Sequence, residues 1–413
     1  MFRHDDATAL CEQTLAPGYV RPDYDGHSFA NVAPTVGERL DVSVAGEPLA
    51  VSAFDSDSKT VVLVVIDGFG FEQFDRHRDA HPFFSTLATQ TTVWPLTSVF
   101  PSETAAAMGT LTTGVPPVQH GRIGWNVPIE ETIVESLPFR CKDGTAVSER
   151  FDVDRRAFIS GATVAGQLAE GGVPTTQVVP VGHVTVDPDH SLIEQRRYDS
   201  LDAFAMELQR AVRETTGGFV YAYLPHVDGA GHTHGTHAPA YTETVASVGS
   251  ALNEALTGLP SAVSDRTQLF VTADHGQVDT DPSTNVDLLE IPSLSSYIDR
   301  DQQGTPRLGG GGRNVHLYPE AEDIPALRSA LESVFGDTAL VYSREAALEA
   351  GLFGPGSPSE TFERLSGDLL LIPREKTVWH GEAPELSFVG FHGGLHPDEQ
   401  LVPFAAIELA ELS

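Results

Sequence analysis

The chain has 413 residues, 58 acidic against 25 basic side chains, a formal net charge of −33 and 40% hydrophobic residues. Such a surface repels nucleic-acid phosphates and anionic lipid, which excludes both as partners of the general surface. Lysine occurs only at Lys59, Lys142 and Lys376, and its scarcity beside abundant Asp and Glu predicts adaptation to concentrated salt, where screening suppresses self-repulsion.

Residues 1–55 are punctuated by Pro and Gly and read as an N-terminal arm packed on the core. The opening Met-Phe-Arg-His-Asp-Asp lacks the apolar stretch of a signal peptide, and no run reaches the length of a membrane span. Cys11 and Cys141 give no disulfide framework. A cytoplasmic location is therefore expected. From residue 59 strands and helices alternate: apolar runs near 61–66, 176–181, 219–224 and 268–273 predict strands, and helical patterns lie near 103–113, 161–169, 201–214 and 239–257. That order predicts an α/β fold, a largely parallel central sheet with helices on both faces. After His275 the pattern degrades into loops, including Leu308 to Arg313, then resumes as a strand at 314–318, a helix at 324–335 and a strand at 338–342. The expected division is a catalytic core over 56–279, an inserted smaller α+β cap over 280–385, and a return to the core over 386–413. The cap leaves beside Asp274 and His275 and rejoins beside His392, so it is expected to govern which substrates enter, with the glycines at 309–312 allowing close backbone approach or hinge motion.

Three of the apolar runs end at a carboxylate: Asp67 after Ile66, Asp228 with His232 after Leu224, and Asp274 with His275 after Thr272. The carboxyl ends of parallel strands are where open α/β sheets gather ligands. Asp and His are the donors that hold a divalent cation, and three such clusters suffice for two ions. The segment Pro101-Ser102-Glu103-Thr104 reads as a helix start capped by Ser102. Thr104 then sits in the first turn, where free backbone N–H groups and the helix dipole favour a phosphate oxygen.

Taken together, these motifs resemble the alkaline phosphatase superfamily, and within it the type I phosphodiesterase/nucleotide pyrophosphatase branch. Members have a strand-end Asp, a Thr nucleophile about forty residues on, an Asp-x-x-x-His pair, an Asp-His pair and a late His in a His-Gly context. Here those are Asp67, Thr104, Asp228 with His232, Asp274 with His275, and His392. The resemblance spans about 60–400 and implies that Asp67, Thr104, Asp274 and His275 ligate one metal, while Asp228, His232 and His392 hold the other. Two divalent ions are implied, zinc first and manganese second. The implied activity is hydrolysis of phosphodiester or phosphoanhydride bonds in a small-molecule, nucleotide-like substrate through a phosphothreonine on Thr104. A phosphomonoesterase and a non-catalytic binding module on the same scaffold are the alternatives. Asn126, in His120-Gly-Arg-Ile-Gly-Trp-Asn126, resembles the family asparagine that contacts a phosphate oxygen, one residue beyond the usual spacing. Arg122 and Arg313 are further candidates to reach phosphate. Where nucleotide pyrophosphatases commonly carry Phe after the nucleophile, this chain has Ala105, which removes one wall of a base-binding slot. No Cys/Ser-x-Pro-x-Arg motif of a sulfatase is present, and the threonine at 104 speaks against the serine-dependent phosphoglycerate mutases.

Overall fold

In a computed structural model, residues 1–51, 58–183, 185–379 and 384–412 are described. The strands of the main sheet, in chain order, are β1 (Thr60–Ile66), β2 (Val93–Thr97), β3 (Thr175–Pro180), β4 (Ile193–Tyr198), β5 (Phe219–Leu224), β6 (Thr267–Thr272) and β7 (Leu401–Glu408). Their spatial order is β2-β7-β6-β1-β5-β3-β4. Only β7 runs against its neighbours; the contacts among β6, β1, β5, β3 and β4 are all parallel. Every residue of β1, β5 and β6 is buried, as expected for parallel strands covered on both faces. Flanking helices include α1 (Thr104–Thr113), α2 (Leu201–Glu214), α3 (His226–His234) and α4 (Pro239–Leu256).

Register fixes the position of the site. Leu224 of β5 lies opposite Ile66 of β1, and Thr272 of β6 opposite Val65. The three central strands thus end almost flush, and the residues that follow them, Asp67, Asp228 and Asp274, emerge along one sheet edge.

A second, wholly antiparallel sheet also has seven strands. It takes residues from both sides of the expected division at 279/280: Asn126–Ile129, Thr132–Glu135 and Arg140–Cys141 from one side, Leu308–Gly311, Asn314–Leu317, Ala339–Ser343 and Leu369–Pro373 from the other. Successive side chains of the last strand alternate between two cores. Leu370 and Ile372 join a cluster with Val127 and Phe362, whereas Leu369 and Leu371 join one with Val315 and Leu331. The stretch 308–311, expected as loop, is a strand paired with both 314–317 and Asn126. Gly310 is required there: its φ is +74°, and a Cβ would lie 1.9 Å from Asn314 O.

The N-terminal residues are more regular than their composition suggests. They form helices at His4–Glu12 and Val32–Arg39, and Phe29, Val32 and Val36 are fully buried in the core of the main sheet. The expected boundary at 55/56 falls outside the described residues. Among the described residues, no helix is long and apolar enough to cross a membrane.

Candidate active site

Thr104 is the first residue of α1, preceded by Glu103 in extended conformation, and no side chain caps the helix. The expected cap, Ser102, instead donates its hydroxyl to Gly394 O at 2.7 Å. The first-turn N–H groups are thus left without a side-chain acceptor, which suits an incoming anion. Asp228 and His232 come from α3; four residues apart, they share one helix face.

The seven residues named above meet in one place. Thr104 Oγ1 lies 3.2 Å from His275 Nε2. The same nitrogen is 3.2 Å from Asp67 Oδ1 and 3.5 Å from Asp274 Oδ2. A second group adjoins it: Asp228 Oδ2 is 3.3 Å from His232 Nε2, and Asp228 Oδ1 is 3.5 Å from His392 Nε2. The His275 and His392 rings stack with centroids 3.6 Å apart and bridge the two groups.

Hydrogen bonding fixes how these imidazoles face. His275 Nδ1 meets Gly276 O at 2.9 Å, His232 Nδ1 meets Gly390 O at 2.8 Å, and His392 Nδ1 meets Ser102 O at 3.2 Å. A carbonyl only accepts, so each Nδ1 carries a proton, and each ring, when neutral, turns its Nε2 lone pair towards carboxylate oxygens. Lone pairs opposed to anions repel unless a cation sits between them. Asp67 Oδ1 and Asp274 Oδ2 are buried with no hydrogen-bond partner, although Asp67 Oδ2 accepts from Tyr223 and Asp274 Oδ1 from His275 N and Gly68 N. Burial and the facing Asp67 push the Asp274 carboxyl well above its ordinary range. Burial opposes a charge on His275, yet Asp274 and Asp67 outweigh it and lift that pKa to about 10. Protons thus fill in for missing positive charge. The oxygen and imidazole donor set fits divalent cations, and two sets of three, Asp67/Asp274/His275 and Asp228/His275/His392, bring their ligand atoms within 4.8 Å of one another.

The group opens into a cavity of about 680 Å³. Asn126 lines it, with Nδ2 donating to Gly310 O at 2.9 Å and a second N–H remaining. Glu103 is buried beside Thr104 and accepts from Asn314 Nδ2 at 2.9 Å; burial raises its pKa to about 7.

The sequence profile of the type I phosphodiesterase/nucleotide pyrophosphatase family matches residues 61–395. The chain belongs to that family. An uncharacterized pyrophosphatase/phosphodiesterase of Schizosaccharomyces pombe is 25% identical over 247 residues, which make up 59% of this chain and 50% of that protein. This chain thus spans about half the length of that curated relative. Two solved structures share the fold. Murine ectonucleotide pyrophosphatase/phosphodiesterase 5, in an inactive threonine-to-alanine form in complex with AMP, superposes with a TM-score of 0.64 at 15% identity, covering 84% of this chain and 87% of its own. Phosphonoacetate hydrolase from Sinorhizobium meliloti 1021, in complex with phosphonoformate, gives 0.62 at 18% identity, covering 88% and 92%.

Around the family's motifs, other residues line the cavity that the sequence did not single out. Ala105 is fully buried and forms no part of the wall; the aromatic faces come from Trp125, Trp379, Phe388 and Phe391. Arg140 and Lys142 also line it, both paired with Glu135. Their positions depend on the second sheet, so no local spacing signals them. The two arginine candidates lie elsewhere. Arg313 is fully buried and bonded to Glu399 Oε1 at 2.6 Å and to the carbonyls of Lys376 and Arg374. Arg122 lines a different cavity. Neither His316, which accepts from Gly367 N, nor His396, which caps Pro397–Gln400, lines the cavity.

Proposed function

We propose that this protein is a metal-dependent hydrolase of phosphodiester or phosphoanhydride bonds in small, nucleotide-like molecules. The observation that carries the reading is the contact of the Thr104 hydroxyl with His275 Nε2 at the open amino end of α1, beside carboxylate oxygens that lack partners. Asp67, Thr104, Asp274 and His275 would hold one divalent ion, and Asp228, His232 and His392 the other, zinc being the first candidate and manganese the second. Bound there, such ions lower the pKa of a coordinated hydroxyl and offset charge on a departing oxygen.

The chain's own groups supply the rest. Thr104 Oγ1 attacks phosphorus, the P–O bond to the leaving group breaks, and a phosphothreonine forms. Water then cleaves the new P–O bond, restoring the hydroxyl and releasing a phosphomonoester from a diester. The α1 N–H groups and Asn126 Nδ2 would donate to non-bridging oxygens. Tyr223 and the backbone carbonyls at Gly276, Gly390 and Ser102 hold the ligands in orientation. The murine protein bound to AMP and the four aromatic residues of the cavity support a nucleotide-like substrate with a planar group.

The test compares hydrolysis of bis-p-nitrophenyl phosphate and p-nitrophenyl phosphate in high salt, with and without added zinc or manganese. A metal-dependent preference for the diester is expected. A monoester preference would assign a phosphomonoesterase, and no turnover of either substrate by metal-loaded protein would assign a binding module.

A further inference from the structure

Among the described residues, three arginines are buried with less than a tenth of their surface exposed: Arg122, Arg196 and Arg313. Two have carboxylates. Arg313 pairs with Glu399, and Arg196 with Glu194 and Glu214. Arg122 is the exception. Its Nε is buried with no hydrogen-bond partner, and it forms no ion pair with a carboxylate among the described residues. A guanidinium keeps its charge inside a protein, so leaving it without an anion is costly. In a chain with 58 acidic residues, the missing carboxylate is the informative feature.

Arg122 lines a cavity of about 70 Å³ that shares no lining residue with the catalytic one. A second guanidinium, Arg155, also lines it. Arg155 is anchored from behind: its Nη1 donates to Leu137 O at 2.8 Å, its Nη2 to Pro138 O at 3.2 Å, and it lies over the Phe139 ring. Burial and the nearby Arg155 lower the pKa of Arg122 to about 10, so the cations repel in the absence of a counter-charge. The carboxylate among the lining residues, Asp187, accepts from Gln177 Nε2 at 2.8 Å and forms no ion pair with either arginine. Polar side chains including Thr112, His183 and Thr185 also line it, and its apolar part is formed by Met108, Leu111, Val164, Ala165 and Phe219.

We propose that this cavity is a second ligand site, which takes a small organic carboxylate with its charged group on Arg122 and Arg155 and a short apolar tail against Met108, Leu111 and Phe219. Chloride or inorganic phosphate would answer the charges but leave the apolar wall against water. A carboxylate with a few carbons satisfies both ends and fits the volume. The site is independent of the catalytic reading, because the two cavities have no residue in common.

Titration calorimetry of metal-loaded enzyme at fixed potassium chloride, with acetate, butyrate and inorganic phosphate as probes, tests it. Butyrate should bind more tightly than acetate, and Arg122→Gln should weaken it about tenfold or more, the cost of a lost charged hydrogen bond. Turnover of bis-p-nitrophenyl phosphate should stay near the wild-type rate in that variant. Ala165→Leu keeps both arginines and fills the apolar half, so it should also abolish butyrate binding even if Arg122→Gln fails to fold. Butyrate affinity unchanged in either folded variant, no butyrate binding to wild type, or Arg122-dependent binding of phosphate alone would overturn the proposal.

Discussion

Three imidazole rings, each tied through Nδ1 to a backbone carbonyl, set what the site can do. They leave three Nε2 lone pairs facing Asp67, Asp228 and Asp274 across 3.2–3.5 Å, an arrangement that only positive charge relieves. In metal-free protein that charge is protons. His275, raised from 6.5 to about 10 by Asp274 and Asp67 against the cost of burial, keeps its proton through neutral pH. Cation binding at pH 8 should therefore release protons, and apparent affinity should rise with pH up to about 10. Calorimetry in buffers of different ionisation enthalpy reads the number released; a metal-binding heat independent of the buffer would contradict this electrostatic account. Thr104 has a different role. Its replacement by Ala removes the nucleophile while the Asp and His donors remain, so turnover should fall on the order of a thousandfold or more with metal content largely kept. A Thr104→Ala enzyme working near the wild-type rate would rule out the phosphothreonine. These residues were legible in the sequence because each carboxylate lies just past a buried strand, Asp228 in the first turn of the helix after one, and strand ends are local signals. The carbonyls that orient the rings were not, since Gly390 O and Ser102 O reach His232 and His392 only through the tertiary fold.

At the level of elements, the main sheet follows from its pattern and the second sheet does not. The runs at β1, β5 and β6 are continuous and buried on both faces, so periodicity found them within a residue or two. The strand β7 joins the sheet antiparallel from the far end of the chain, and β4 alternates with exposed polar residues, so neither carried that signal. The second sheet unites 126–141 with 308–373 across more than a hundred residues, and it is this pairing that brings Trp125 to the cavity lining with Gly311 and Gly312. Trp125→Ala should consequently lower kcat/KM for a dinucleotide by about tenfold, the value of one base–aromatic stack, relative to a small generic diester. Equal loss on both substrates would mean the tryptophan only supports the fold. Of the glycine run at 309–312, the first three residues lie in a strand and Gly312 begins the turn that follows. Arg313 is fully buried and lines no part of the catalytic cavity. It fastens the turn between two strands of the second sheet to Glu399, just ahead of β7. Arg313→Ala strands a buried carboxylate and should cost about 3–5 kcal/mol of stability, seen as a lower denaturant midpoint with substrate preference unaltered; a changed preference at unchanged stability would refute the structural role.

For the whole molecule, charge governs behaviour outside the core. A net charge of −33 spread over the surface of one folded chain repels itself over the Debye length, about 30 Å at 10 mM salt and about 3 Å at 1 M. At low ionic strength most carboxylates on the molecule feel their neighbours, and the compact state bears the cost; at molar salt each is screened from all but the nearest. The few basic residues are partly committed to local pairs such as Arg328 with Glu332 and Arg150 with Asp143, and exposed pairs of this kind each contribute about 0–1 kcal/mol. They cannot balance an excess of 33 negative charges. The hydrophobic core is continuous through the main sheet and the N-terminal helices, so the fold should loosen through surface repulsion rather than through a defect in packing. Thermal midpoint and activity are therefore expected to rise together from 0.05 M potassium chloride to about 2 M as screening removes the repulsion, and activity lost on dialysis to low salt should return when salt is restored. Sodium and potassium chloride should act alike if screening is the cause. A midpoint constant across that range would show that the acidic surface imposes no salt requirement on the fold.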